Sequence, residues 1–265
     1  MMKKTLLLGT AVLLLFSCNI KTDKLVLSNL VTKTATGPQT TREYIMNFTG
    51  LRVSQGIDAE VFKSTENKII ISAPSDIIDD VLAEKSGNSV QIRFRPGLNI
   101  SANNVSAKVY TKNLSTVEAS SSGRIRVKDK FTQDRTDISA SSSGQIFGDF
   151  EANQLSVRTS SSGSYQGQIW AVNLEAAASS AGAVTLTGKT GNATMKASSS
   201  GSINAGEVLA KSADLSASSA GDISLTVSNQ VSARASSGGD IHVNKNGALT
   251  KADIKESSGG SISIK

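Results

Sequence analysis

Asp222 and Asp240 each stand directly after a glycine, in SAGDISL and SGGDIHV, and His242 follows the second by two residues. Two carboxylates and an imidazole on one surface are the raw material of a calcium site or of acid–base chemistry on a polysaccharide. The pattern argues against both. Calcium-binding β-rolls repeat a nine-residue GGxGxDxUx unit, whereas these two segments recur at twice that spacing. His242 is the single histidine in 265 residues and has no cysteine partner, so a zinc site of ordinary type cannot form around it. No P-loop, GxSxG or HExxH motif occurs. The expectation is no catalytic residue, no cofactor and no metal, with Asp222, Asp240 and His242 kept as a candidate ligand surface. Trp170, the one tryptophan, is a further candidate, since sugar-binding faces favour exposed aromatics. Its alternative role, with Tyr165, is to fill a wide part of the core, while Phe147 faces outward.

What must position these residues is a repeat. The motif ASSSG at residues 119–123 returns at 140–144 and 197–201, with variants between and after. Its closing glycines are Gly123, Gly144, Gly163, Gly182, Gly201, Gly221, Gly239 and Gly260, at intervals of 21, 19, 19, 19, 20, 18 and 21. Two residues after each glycine stand Ile125, Ile146, Tyr165, Val184, Ile203, Ile223, Ile241 and Ile262, an inward column. The flanking positions, which include Arg124, Asp222, Asp240 and His242, are mostly polar and face out. Six residues before the glycine another apolar column runs from Val117 to Ile254. Short strands with in-out alternation therefore flank every motif.

A helical repeat would avoid Ser-Ser-Ser-Gly in every unit, a leucine-rich repeat needs its leucine ladder, and a propeller needs about twice the period. The remaining solution is an all-β, single-stranded parallel β-helix of about 20 residues per coil, the coils stacking at roughly 4.8 Å. The glycine is expected to turn each corner with positive φ, and the stacked serines to hydrogen-bond along the ladder or to corner backbone. Asp222 and Asp240 then sit one coil apart in a single outward column. Two acids in eight such positions is also what turn preference alone supplies.

The chain opens with Lys3 and Lys4 ahead of an apolar run from Leu6 to Phe16, too short for a transmembrane helix and laid out as a secretory signal. It stops at Leu15-Phe16-Ser17-Cys18, which resembles a bacterial lipobox. Cys18, the only cysteine, is thus the expected lipidation site and membrane anchor, with residues 1–17 removed. That removal leaves 26 basic against 22 acidic residues, scattered rather than clustered, so no nucleic-acid footprint is present. Residues 18–43 read as a flexible tether and 44–265 as the folded domain, divided into a β-rich part at 44–110 and the SSSG coils at 111–265. Within 44–110, APSDIIDDVLAEKSGN reads as one short amphipathic helix with Ser75 as N-cap and Gly87 past its end, a segment able to cap the solenoid.

Residues 44–265 resemble the bacterial family called putative auto-transporter adhesin, head GIN domain, through Phe48-Thr49-Gly50, Gly56-Ile57-Asp58, the segment carrying Ile77, Ile78 and Leu82, and the SSSG corners. The resemblance implies a right-handed β-helix of the Bacteroidetes envelope, periplasmic or on the cell surface of the outer membrane, and an adhesive role without assigned site residues. The resulting expectation is a non-enzymatic, lipid-anchored adhesin or interaction scaffold for a surface glycan or protein. The alternative is a carbohydrate-binding or polysaccharide-processing β-helix, favoured by a groove lined with charged groups across adjacent coils. A homo-oligomer through the C-terminal strand edge, or its cover by the tether, is also expected.

Overall fold

The computed structural model describes residues 31–101 and 104–265. Their strands stack as a parallel β-helix. Each SSSG coil lies in register on the next, Thr116–Ala119 on Asp137–Ala140 and so on to Gln230–Ala235 on Lys251–Glu256. In the middle of the stack the strands are long and bend round the coil, as in Ser164–Ala178, Ala183–Ala197 and Ser202–Ala217. The inward columns fill one continuous core. Ile125, Ile146, Ile203 and Ile223 are fully covered, and each such side chain contributes about 2 kcal/mol on burial. Tyr165 belongs to the same column, and its hydroxyl donates to the carbonyl of Gly148 at 2.9 Å, so the one polar group the column brings inside is satisfied. Unequal coil lengths are absorbed by register shifts inside the long strands, between Thr185 and Thr187 and between Ala205 and Leu209, a few residues after the corner.

The N-terminal block follows a different order. Gly50–Val53 and Asp58–Lys63 make the first coil, and the chain then leaves it for more than fifty residues before returning at Thr116. During that excursion Ser89–Phe94 and Ser106–Thr111 pair in parallel beneath the first coil, while Thr116–Ala119 and Arg124–Val127 pair above it. The coil made first therefore lies between strands made later. Antiparallel strands close the lower end: Val81–Ser86 on Ser89–Phe94, Lys68–Pro74 on Ser106–Thr111, and Gln39–Ile45 on Lys68–Pro74. Ile69, Ile71, Ile77 and Val81 are buried there, so this segment caps the core as its position suggested.

Two expectations for this block change. Ser75–Gly87 holds no α-helix: a 3-10 turn at Ile78–Asp80 runs straight into the strand Val81–Ser86. Ser75 caps nothing with its side chain, and its N–H donates to Pro38 O at 2.9 Å. Val81 and Ala83 are buried while Leu82 is only half-buried, the period of two that the Ile77–Leu82 spacing disguised. Residues 31–43 are also not a tether, because Val31–Thr34 pairs with Leu98–Ser101 and Gln39–Ile45 joins the cap. Asp80, mostly buried, pins this entry segment by accepting from Lys33 at 2.6 Å and from Arg95 at 3.2 Å. The described part of the supposed tether thus covers the N-terminal end, not the C-terminal coil, where Ile254 is exposed. The signal segment, Cys18 and residues up to 30 lie outside the described residues.

Candidate functional site

The surface is built from the corners outward. In each of the eight motifs the glycine N–H donates to the carbonyl of the first serine, as from Gly123 to Ser120 at 2.8 Å. The two residues between them hold left-handed backbone, φ being 47° at Ser121 and 63° at Ser122, with the same pair in almost every coil. This is a type I′ turn, whose twist suits strands on either side. None of the eight motif glycines has positive φ, which overturns the expected reason for them. Their requirement is proximity: a Cβ at Gly163 would sit 2.3 Å from the carbonyl oxygen of Ala140 in the previous coil. The strain of two non-glycine left-handed residues is offset by a main-chain ladder. Ser143 N–H donates to Ser161 O at 3.0 Å, Ser162 to Ser180 at 3.1 Å, and Ser200 to Ser219 at 3.1 Å. The corner is thus held by backbone bonds, and its second and third side chains point into solvent.

Around the coil from this corner, nine to seven residues before the glycine, lies a cleft that runs along the axis. One rim is the column Gln154, Asn173, Asn192, Ser212 and Gln230, with Arg135 and Lys251 at its ends. In the other rim Asp137, Glu175, Asp214 and Asp253 alternate, coil by coil, with Thr116, Ser156, Thr194 and Ser232. The floor is apolar, from Leu155 and Leu174 to Ala193, Ala213 and Val231. Two depressions of about 310 and 340 Å³ occupy it and meet at Asn192 and Thr194. The Asn192 side-chain amide donates to Asn173 Oδ1 at 2.8 Å, so neighbouring coils fix each other's rotamers. Arg135 chelates Asp137 through two bonds of 2.8 Å, Arg158 meets Glu175 at 3.0 Å, and Arg234 meets Asp214 at 3.2 Å. Hydrogen bonding to Asp137 raises the Arg135 guanidinium above its ordinary range, which is already one where it is charged at any physiological pH.

The residues singled out from sequence are placed elsewhere. Asp222 and Asp240 do face each other from adjacent coils in one outward column, and His242 stands opposite Ser224 and Ser263 in the next. Trp170 is three coils away in a different column and is half exposed, so it does not fill the core, whereas Tyr165 does. It lies between Glu151 and Lys189, and Val172 beside it on the same strand is also exposed. The Lys130 ammonium at 2.9 Å, and then the Thr132 hydroxyl, hold the Glu151 carboxyl below the usual range. Among the described residues no group of three or more His, Cys, Asp or Glu side chains is arranged to hold a metal ion, and no helix is long and apolar enough to cross a membrane. The axial cleft escaped the reading of the sequence, although the alternation of hydroxyl and carboxylate was there one column beyond the columns aligned.

The sequence model of the family described as "Putative auto-transporter adhesin, head GIN domain" matches residues 47–169 and 165–247. No curated protein matches the sequence. Solved structures share the fold. A "putative adhesin" from Parabacteroides distasonis is 17% identical with a TM-score of 0.77, over 88% of this chain and all of that one. Another from Parabacteroides merdae is 16% identical with a TM-score of 0.74, over 85% and 99%. A "putative lipid binding protein" from Parabacteroides distasonis is 21% identical with a TM-score of 0.73, over 88% and 99%.

Proposed function

The chain belongs to the "putative auto-transporter adhesin, head GIN domain" family, and from that membership we propose that it is a non-catalytic adhesin or interaction scaffold, held to the outer membrane of the cell envelope by a lipid on Cys18. The observation that carries the binding role is the axial cleft. A stacked main chain imposes one position per coil on its rim side chains, so hydrogen-bonding groups are held ready along a line at little further entropic cost. The anchor is supported by Lys3 and Lys4, the apolar run and the lipobox-like Leu15–Cys18. Such a rod on a lipid tail presents a long face to whatever approaches the envelope.

Cells carrying the wild-type chain, the Cys18→Ser chain or neither separate the two halves of this reading. The wild-type protein is expected to fractionate with membrane and to raise adherence to immobilised mucin, and Cys18→Ser to do neither. Membrane fractionation of Cys18→Ser would remove the lipid anchor from the reading, and equal adherence with and without the wild-type chain would remove the adhesive role.

A further inference from the structure

We propose that the axial cleft from Arg135 to Lys251 binds an extended, uncharged polysaccharide strand laid along the solenoid axis. The proposal rests on the binding role above and gives it a site and a ligand chemistry. Three observations converge on it.

The first is an orphaned hydroxyl. Ser156 is about nineteen-twentieths covered, at 6% exposure, lines the cleft between Asn173 and Glu175, and its Oγ has no hydrogen-bond partner among the described residues. A buried hydroxyl without a partner carries a desolvation penalty that a bound hydroxyl would relieve. It stands in the rim column and lines the depression, but its Oγ is itself covered, so a ligand hydroxyl reaches it once the rim side chains beside it turn aside.

The second is charge. The guanidinium groups of Arg135, Arg158 and Arg234 neutralise Asp137, Glu175 and Asp214, and Lys251 stands on the rim opposite Asp253, so the cleft is rich in charged groups but has no net sign. An anionic or cationic polymer gains nothing from such a face. Hydroxyl groups gain from it, because carboxylates and amides accept their protons while guanidinium and amide N–H groups donate to their oxygens.

The third is period. The carboxylates recur every second coil, roughly 9.6 Å apart at the ordinary strand spacing, with a hydroxyl midway. An extended peptide repeats its side chains at about 6.8 Å and would drift out of step within two coils. A ribbon-like glycan of two sugars per turn of the ribbon has a repeat close to two coils, so its hydroxyls meet the rim groups in step. A neutral β-1,4-linked chain meets all three conditions.

The test uses the purified full-length lipoprotein in detergent, titrated calorimetrically with cellohexaose and chitohexaose (extended, neutral), maltohexaose (coiled, neutral), hexagalacturonate (anionic) and hexalysine (cationic). At least one extended neutral hexasaccharide should bind, and maltohexaose, hexagalacturonate and hexalysine should bind at least tenfold more weakly. Thr194→Trp, which blocks the junction of the two depressions from an exposed position, should abolish binding while leaving the thermal melt unchanged. Asn173→Ala should weaken it several-fold, and the outward Ser202→Ala, on another face, should have no effect. No binding by either extended glycan, binding that survives Thr194→Trp, or preference for hexalysine or hexagalacturonate would each overturn the assignment. Adherence of cells carrying Thr194→Trp keeps this distinct from the broader reading: adherence retained with glycan binding lost leaves the adhesin and removes the cleft as its site, whereas no adherence even with the wild-type chain removes the adhesin itself.

Discussion

The N-terminal block and the coil stack are made of the same kind of strand, yet they specify their structures differently. In the stack, a residue's environment is set by its column: Ile203 is inward because Val184 before it and Ile223 after it are inward, and eight examples of each position can be compared. In the block each strand occurs once, and its direction changes from parallel to antiparallel at Lys68–Pro74, which lies beside both Gln39–Ile45 and Ser106–Thr111. Repetition carries redundancy that a unique segment lacks. The energetic logic is nevertheless shared, because both regions bury the inward face of their central strands and both must satisfy the main chain at each end.

The largest effects should therefore be equal across the two regions. Ile203→Asp in the stack and Val81→Asp in the block each bury an unpaired carboxylate at a fully covered position, at a cost of about 4 kcal/mol or more. Leu82→Asp, one residue along, lies opposite Arg93 in the hairpin and should cost less than about 1 kcal/mol. Urea denaturation of the three variants checks this. A severe loss for Leu82→Asp would restore a helical reading of that segment and break the parallel between the regions.

Glycines sharpen the contrast at the next level. At Gly163 a Cβ would press on the Ala140 carbonyl, so Gly163→Ala must push two coils apart, at roughly 3 kcal/mol. Gly56 occupies the third position of the first coil's corner, between Gln55 at φ 59° and Ile57, has φ 72° itself, and has open space where a Cβ would go. Gly56→Ala should cost about 1 kcal/mol, the strain of left-handed backbone alone. Equal losses in thermal melts would mean that the motif glycines are conformational after all.

That distinction also marks how far the sequence could be read. The coil period, the two inward columns and the all-β class were legible because each was written eight times. The backbone of the corner was not, since Asn-Gly announces a type I′ turn and Ser-Ser does not; only the packing of coil on coil forces serines into that conformation. The block's hairpin was hidden because Ile77, Ile78, Val81 and Leu82 satisfy three-and-four spacing as well as alternation. As for the candidate sites, Asp222 and Asp240 do share one outward column, but the cleft is made by two outward columns of one strand, nine and seven residues before the glycine, whose polar residues read as an ordinary solvated face until coil is stacked on coil.

A smaller effect comes from the aromatic anomaly inside the stack. Burial pushes the Tyr165 phenol well above its ordinary range. A raised native pKa means stability is complete below the unfolded value near 10 and falls as pH rises past it, because only the unfolded chain then releases the proton. Tyr165→Phe loses the bond to Gly148 and should cost about 1 kcal/mol at pH 7. Its stability should also decline less steeply than wild type between pH 10 and 11, approximately, in chemical denaturation series. Parallel pH profiles would show that the phenol reaches solvent.

The smallest expected change, and the one of opposite sign, concerns the second orphaned hydroxyl. Thr159 lies four residues before Gly163, in an inward column that also holds Ala119, Ala140, Ala178, Ala197, Ala217 and Ala235, and its Oγ1 has no partner among the described residues. Ser156, three residues earlier, is equally unpartnered but faces the cleft, where a ligand can complete it. Thr159 faces the core, where nothing can. Replacing its hydroxyl by a methyl in Thr159→Val keeps the volume and removes the desolvation penalty, and should stabilise the protein by about 1 kcal/mol. Ser156→Ala should be similarly neutral or stabilising in the free protein yet weaken glycan binding, a divergence that Thr159→Val should not share. If thermal melts showed Thr159→Val to be destabilising, the hydroxyl would have to be bonded in solution, and the distinction drawn between an outward orphan kept for a ligand and an inward one kept for nothing would fail.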